Sequence, residues 1–169
     1  MGEAGRCELV RGAIVMMSPS SAGHGVVAAR LAAIIGGFVE MHDLGVALAA
    51  ETGFLVETNP DTVRAPDVAV VLKERVAQVI PARGFARGAP DLAVEVLSPD
   101  DSWKATVAKA KMWLQKGARS AWIIDPLKQV AEVHTADGRV RRFTGTGILA
   151  DEAILPGLAI PMTRLFRQP

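Results

Sequence analysis

The stretch GAPDLAVEVLSPDDS, Gly88–Ser102, decides the fold. Leu92–Leu97 is the most continuous strand signal in the chain, and the SPDDS that follows is helix-start chemistry. The helix it opens runs to about Lys116 and stops at Gly117, a common residue just past a helix end. SAWIIDP, Ser120–Pro126, is then a second apolar strand, ended by Pro126. A helix between two such strands makes Leu92–Leu97 and Ser120–Ile124 parallel neighbours, joined by a right-handed crossover.

One residue in the first strand does not fit an ordinary core. Side chains alternate faces along a strand, so Asp91, Ala93, Glu95 and Leu97 share one face and Leu92, Val94, Val96 and Ser98 the other. Both faces are largely apolar, as in a central strand covered on both sides. Glu95 is therefore expected to be buried. A buried carboxylate must be protonated, hydrogen-bonded, ion-paired or metal-bound. Asp91 shares its face but lies about 13 Å away at ~3.3 Å per residue, too far to share one ion. A partner must come from another strand. RAPDVAVV, Arg64–Val71, is a second Pro-Asp entry into a Val-rich strand. Adjacent strands lie ~4.8 Å apart, so Asp67 beside Glu95 would make a two-carboxylate site for a hard divalent ion, Mg²⁺ or Mn²⁺.

Working outward, CELVRGAIVMM predicts a hairpin of Cys7–Val10 and Ala13–Met17 about Arg11-Gly12. Ser20 and Ser21 can cap an amphipathic helix from Val26 to about Met41. Val46–Ala49, Gly53–Glu57 and Val68–Leu72 read as strands, with a turn at TNPDT. QVAEVHTADGRVRRF is a hairpin turning at Asp137-Gly138. The tail AILPGLAIPMTRLF offers short strands or a terminal turn of helix. The order β-β-α-β-β-β-β-α-β-β-β predicts one α/β domain over residues 1–169, a mixed sheet flanked by two main helices.

Composition narrows the class. Half of the 169 residues are apolar and 22% are charged, as in a globular chain. No uninterrupted apolar run reaches the ~18 residues of a bilayer span, and the N-terminal layout is not that of a signal peptide, so a cytoplasmic address without a membrane is expected. The single Cys7 excludes a disulfide framework and a cysteine-based zinc site. A net charge of +1 gives no global pull toward nucleic acid. KERVAQVIPARGFARG nonetheless gathers Lys73, Arg75, Arg83 and Arg87 in or near one loop, a candidate phosphate-binding patch or a solvated surface loop. No G-x-S-x-G, P-loop or dinucleotide fingerprint occurs.

ELVRGAIVMMSPSSAGHGVVAARL, ETGFLV, APDVAVV, GAPDLAVEVLSPDD, KAKMWLQKGARSAWIIDP and ILPGLAIPMTRLF together, from Glu8 to Phe166, resemble the Uma2 family (domain of unknown function 820). That family is similar to the PD-(D/E)xK restriction-endonuclease-like nucleases. The resemblance implies a restriction-endonuclease-like fold and metal-dependent hydrolysis of phosphodiesters, with DNA as partner and Mg or Mn as cofactor. It makes Asp67 and Glu95 the motif acids and metal ligands. The motif lysine should stand at position 97, which is Leu97 here. In Uma2-like sequences a lysine stands instead on the following helix, and counting back from Gly117 gives Lys109, with Trp113 one turn on. The acid often found four residues before that lysine is Ala105 here, and Asp100 or Asp101 are its nearest substitutes. His24, Glu8 and Glu51 match further positions, with His24 also readable as a cap-region histidine. His42, His134 and Asp125 read as helix-end, hairpin and strand-end residues. A second reading is a catalytically inactive nuclease-like scaffold that binds nucleic acid or oligomerises. Exposed sheet edges would suit a homodimer.

Overall fold

A computed structural model of the chain describes residues 7–167, so the first six and last two residues of the expected 1–169 domain lie outside the described residues. In chain order the elements are β1 Cys7–Val10, β2 Ala13–Met16, α1 Ala22–Met41, β3 Gly45–Ala49, β4 Phe54–Glu57, β5 Thr62–Arg64, β6 Val68–Leu72, a 3-10 turn Lys73–Arg75 and α2 Val76–Val79. There follow β7 Ala86–Arg87, β8 Leu92–Val96, α3 Trp103–Gln115, β9 Ser120–Asp125, β10 Val130–Thr135, β11 Val140–Thr144, β12 Ile148–Ala150, β13 Ala159–Pro161 and α4 Met162–Leu165.

The mixed α/β architecture is as expected. A six-stranded sheet runs β11-β10-β9-β8-β6-β3, with β8 and β9 parallel and the other pairs antiparallel. The parallel pair is the one joined by α3. A second sheet runs β2-β1-β5-β4-β7, and β12 and β13 form a two-stranded piece.

Each face of the large sheet has its own cover. Leu92, Val94 and Val96 face a cluster with Val27, Leu31 and Ile35 of α1 and with the C-terminal segment. Ala93 and Leu97 face the other way, into a cluster with Ala110 and Trp113 of α3 and Phe54 of β4. The Phe54 and Trp113 rings meet edge to face at 5.9 Å, so α3 touches both sheets.

Local chemistry explains both helices. The Ser21 hydroxyl accepts from the His24 amide at 3.2 Å, which starts α1 at Ala22, four residues earlier than the apolar spacing places it. Its buried stripe, His24, Val27, Leu31, Ile35 and Val39, has helical spacing and carries it past Gly36-Gly37 to Met41. By length and composition alone α1 could cross a bilayer, with a mean hydropathy of 1.5. Its stripe is committed to the sheet, and Arg30 donates to the Leu165 carbonyl. The Ser102 hydroxyl accepts from the Ala105 amide at 3.1 Å and starts α3. Gly117, at φ +107°, ends it in a conformation that disfavours a side chain.

Candidate active site

The register of β6 against β8 sets Val68 opposite Val94, and Asp67, just before β6, comes close enough to Glu95 for the two charges to interact. The Asp67 amide donates to the Val94 carbonyl at 2.9 Å, and Asp67 Oδ2 accepts from the Val96 amide at 2.8 Å. Both carboxylates are buried. Glu95 shares a face of β8 with Ala93, which belongs to the α3-side cluster, while Asp67 sits at the entry to β6 and reaches toward α1.

Lys109 reaches this pair from α3. Its ammonium lies 3.0 Å from Glu95 Oε2 and 3.1 Å from Glu8 Oε1, and donates to the Ala65 carbonyl at 3.0 Å. An ammonium carries three N–H donors, so these acceptors satisfy it. One turn on, the Trp113 indole N–H donates to Glu95 Oε1 at 2.7 Å. Glu8, on β1 of the smaller sheet, also accepts from the Ala65 amide at 3.0 Å and pairs with Arg64 Nε at 3.0 Å. His24, in the first turn of α1, places Nε2 3.2 Å from Asp67 Oδ1.

Charge divides the two neighbouring acids. Burial alone would raise Asp67, but the His24 and Val96 hydrogen bonds and the charge of Lys109 outweigh it and hold the carboxyl below its ordinary range. Burial pushes Glu95 up to about 6 against the downward pull of Lys109, and the Asp67 charge pushes the same way as burial. Burial works against the Lys109 ammonium, yet the carboxylates of Glu95 and Glu8 together raise it above the ordinary lysine value. Lys109 faces two acids, while Glu95 has one cation and a like-charged neighbour. That difference explains how both groups of one ion pair move upward.

The pair opens onto a cleft of about 450 Å³ whose wall includes Glu8, His24, Arg64, Asp67, Glu95 and Lys109. Asp100, Asp101 and Ala105 also line it, so the acids at the helix start stand at its rim. Of the residues singled out in the sequence, Glu8, His24, Asp67, Glu95 and Lys109 come together here. Glu51 is not on this wall. It lies at φ +69° in the turn before β4 and lines a neighbouring cavity. Arg83 and Arg87 are exposed and line neither cavity. Two features escaped the sequence reading. Arg64 ends a three-residue strand too short to carry a pattern, and the Trp113 bond depends on how α3 settles on the sheet. Asp91 is wholly buried, accepts from the Leu72 amide and pairs with Arg75 and Arg119. It anchors the start of β8.

The donor chemistry suits a hard cation. Asp67 and Glu95 offer carboxylate oxygens only, and their mutual repulsion is relieved by positive charge between them. Among the described residues no three His, Cys, Asp or Glu side chains converge on one point. Glu8 is turned to Lys109, Arg64 and the Ala65 amide instead. Two carboxylates with water suffice for Mg²⁺, which keeps several waters in its shell.

A family model described as "Putative restriction endonuclease" matches residues 1–163. A crystal structure described as "a putative nuclease belonging to DUF820 from Anabaena variabilis" is similar in fold, with a TM-score of 0.80 over 95% of this chain and 89% of that one at 21% identity. No curated protein matches the chain.

Proposed function

The chain belongs to the Uma2 family, and on that footing we propose that it is a divalent-metal-dependent nuclease acting on DNA, with Asp67 and Glu95 as metal ligands and Lys109 as the catalytic lysine. The observation that carries this reading is the neighbouring pair Asp67 and Glu95 on the wall of one cleft, with the Lys109 ammonium 3.0 Å from Glu95.

Asp67 and Glu95 would hold Mg²⁺ or Mn²⁺, with a main-chain carbonyl at Val96 or Leu97 and waters filling the shell. The bound ion would polarise the phosphate and lower the pKa of an attacking water. The chain's own groups do the rest. Lys109 stays protonated between two carboxylates, so it cannot accept a proton. Its role is to orient the water or to offset the charge that builds on the phosphate. Leu97 stands where a strand lysine is expected, and Lys109 brings an ammonium from α3 to the acid that such a lysine would accompany. His24 holds one oxygen of Asp67, and the Val96 amide the other, which orients the ligand. Trp113 and Lys109 do the same for Glu95. Glu8 positions Lys109. Arg83 and Arg87 would contact the nucleic-acid backbone outside the cleft. A homodimer and a cytoplasmic location complete the proposal, the latter in keeping with a free, exposed Cys7.

Nicking of supercoiled plasmid with Mg²⁺ or Mn²⁺ tests it. Wild type should nick, Asp67→Asn and Glu95→Gln should be inactive, and Lys109→Met should be strongly impaired, each while still folded. Cleavage that persists in Glu95→Gln overturns the assignment. The inactive-scaffold reading is favoured by Ala105 and by the engagement of Lys109 by three acceptors. It requires a folded chain that binds nucleic acid or self-associates without any metal-dependent nicking.

A further inference from the structure

An apolar cavity of about 240 Å³ adjoins the cleft, and Glu8 and Arg64 line both. Its other walls include Leu9, Val63 and Phe85. We propose that this cavity takes a single unpaired nucleobase of the substrate strand, stacked on Phe85; the assignment rests on the nuclease reading above.

Phe85 is 58% exposed and is the aromatic member of the exposed large apolar side chains among the described residues. It is nonetheless held in place. The Ala86 amide donates to the Gly53 carbonyl at 2.9 Å, and β7 continues from there alongside β4. Gly53 makes room for the ring: a Cβ at that position would stand 2.7 Å from Phe85 Cδ1 and 3.0 Å from Val63 Cγ1. The ring therefore rests against glycine backbone and leaves the rest of its surface open. A fixed aromatic ring with open surface is how proteins hold single-stranded bases, because every base has a π-face.

Size points to the same ligand. Pockets for whole drug-sized molecules run to roughly 300–1,000 Å³. This cavity is smaller and suits one planar ring system. The wall it shares with the cleft carries Arg64 and Glu8, paired with each other at 3.0 Å, and Glu51 also lines the cavity, so the ring and the size of the space select the base and charge does not. Arg83 and Arg87 flank Phe85 in sequence and are exposed.

The test measures binding of a single-stranded oligonucleotide containing 2-aminopurine to the full chain with Ca²⁺ in place of Mg²⁺ or Mn²⁺, with the strand checked to be intact. Stacking on Phe85 should change the probe's emission. Phe85→Ala should lose that change and weaken binding on the order of tenfold, the effect of one lost base stack. Phe85→Trp should retain both. Phe85→Leu, apolar but without a π-face, should behave like alanine. Unaltered binding and emission in Phe85→Ala overturn the proposal. So does a result in which Phe85→Ala only converts a dimer to monomer, since the surface then seats a second copy of the chain. Cleavage of the same oligonucleotide with Mn²⁺ is scored separately. Cleavage with Phe85-indifferent binding removes the base site alone, and Phe85-dependent binding without cleavage removes the nuclease reading alone.

Discussion

Lys109 Nζ lies 3.0 Å from Glu95 Oε2, a helix side chain meeting a strand side chain across the inner face of the large sheet. The contact leaves Glu95 dependent on a cation that it shares with Glu8.

The first consequence concerns Lys109. Lys109→Met should lower plasmid nicking by a factor of roughly 100 or more, the scale of losing one preorganised charge at the transition state. It should also cost about 1–3 kcal/mol of stability, because buried Glu95 is left without its cation. Nicking rates and urea unfolding read the two effects separately. Wild-type nicking by a folded Lys109→Met chain would remove this residue from the mechanism.

The second concerns pH. Glu95 titrates at about 6 in the fold and near 4.5 ordinarily, so between these values the folded chain binds more protons than the unfolded one. Stability that Glu95 leaves intact at low pH is lost as pH rises through that window, by about 2 kcal/mol at ~1.36 kcal/mol per pKa unit. Glu95→Gln mimics the protonated acid. In chelator it should be more stable than wild type by about that amount at pH 7.5 and equal to it below pH 4.5. Thermal melts at the two pH values decide it, and a pH-independent difference refutes the assigned titration.

The third concerns metal. Mn²⁺ at 100 times its dissociation constant should stabilise wild type by about 2.7 kcal/mol. The gain should vanish in Asp67→Asn and in Glu95→Gln. Melting temperatures with and without Mn²⁺ measure it, and an unchanged gain in either variant excludes that residue as a ligand.

The fourth concerns assembly. β2 lies at the end of the smaller sheet with Ile14 and Met16 exposed at 70% and 62%. An apolar edge strand of this kind invites pairing with another copy. Sedimentation should show a dimer for wild type and a monomer for Ile14→Lys with Met16→Lys. A monomeric wild type would sink the homodimer.

Legibility in the sequence followed the length of the pattern. β8, α3 and β9 carry long periodic signals, and their parallel pairing follows from one crossover. β5, β7, β12 and β13 are two or three residues long, and α2 and α4 four, too short for a period to register. Their existence is decided by packing. Asp67 and Glu95 were legible because strand alternation and a Pro-Asp entry place them on facing strands. Periodicity does not distinguish Lys109 from Lys104 or Lys111, and it took the resemblance to a family to separate them. Glu8 meets Lys109, and Arg64 meets Glu8, only because the smaller sheet packs against α3, a relation that no local pattern encodes.

Lys109 is tied to the larger sheet through Glu95, to the smaller one through Glu8, and to Ala65 between them. A nascent or partly melted chain whose smaller sheet has come away holds its ammonium by one carboxylate instead of two. The full charge pattern of the cleft thus arrives only with the docking of both sheets around Lys109. Hydrogen exchange at the Ala65 amide, which Glu8 accepts, would time that arrival.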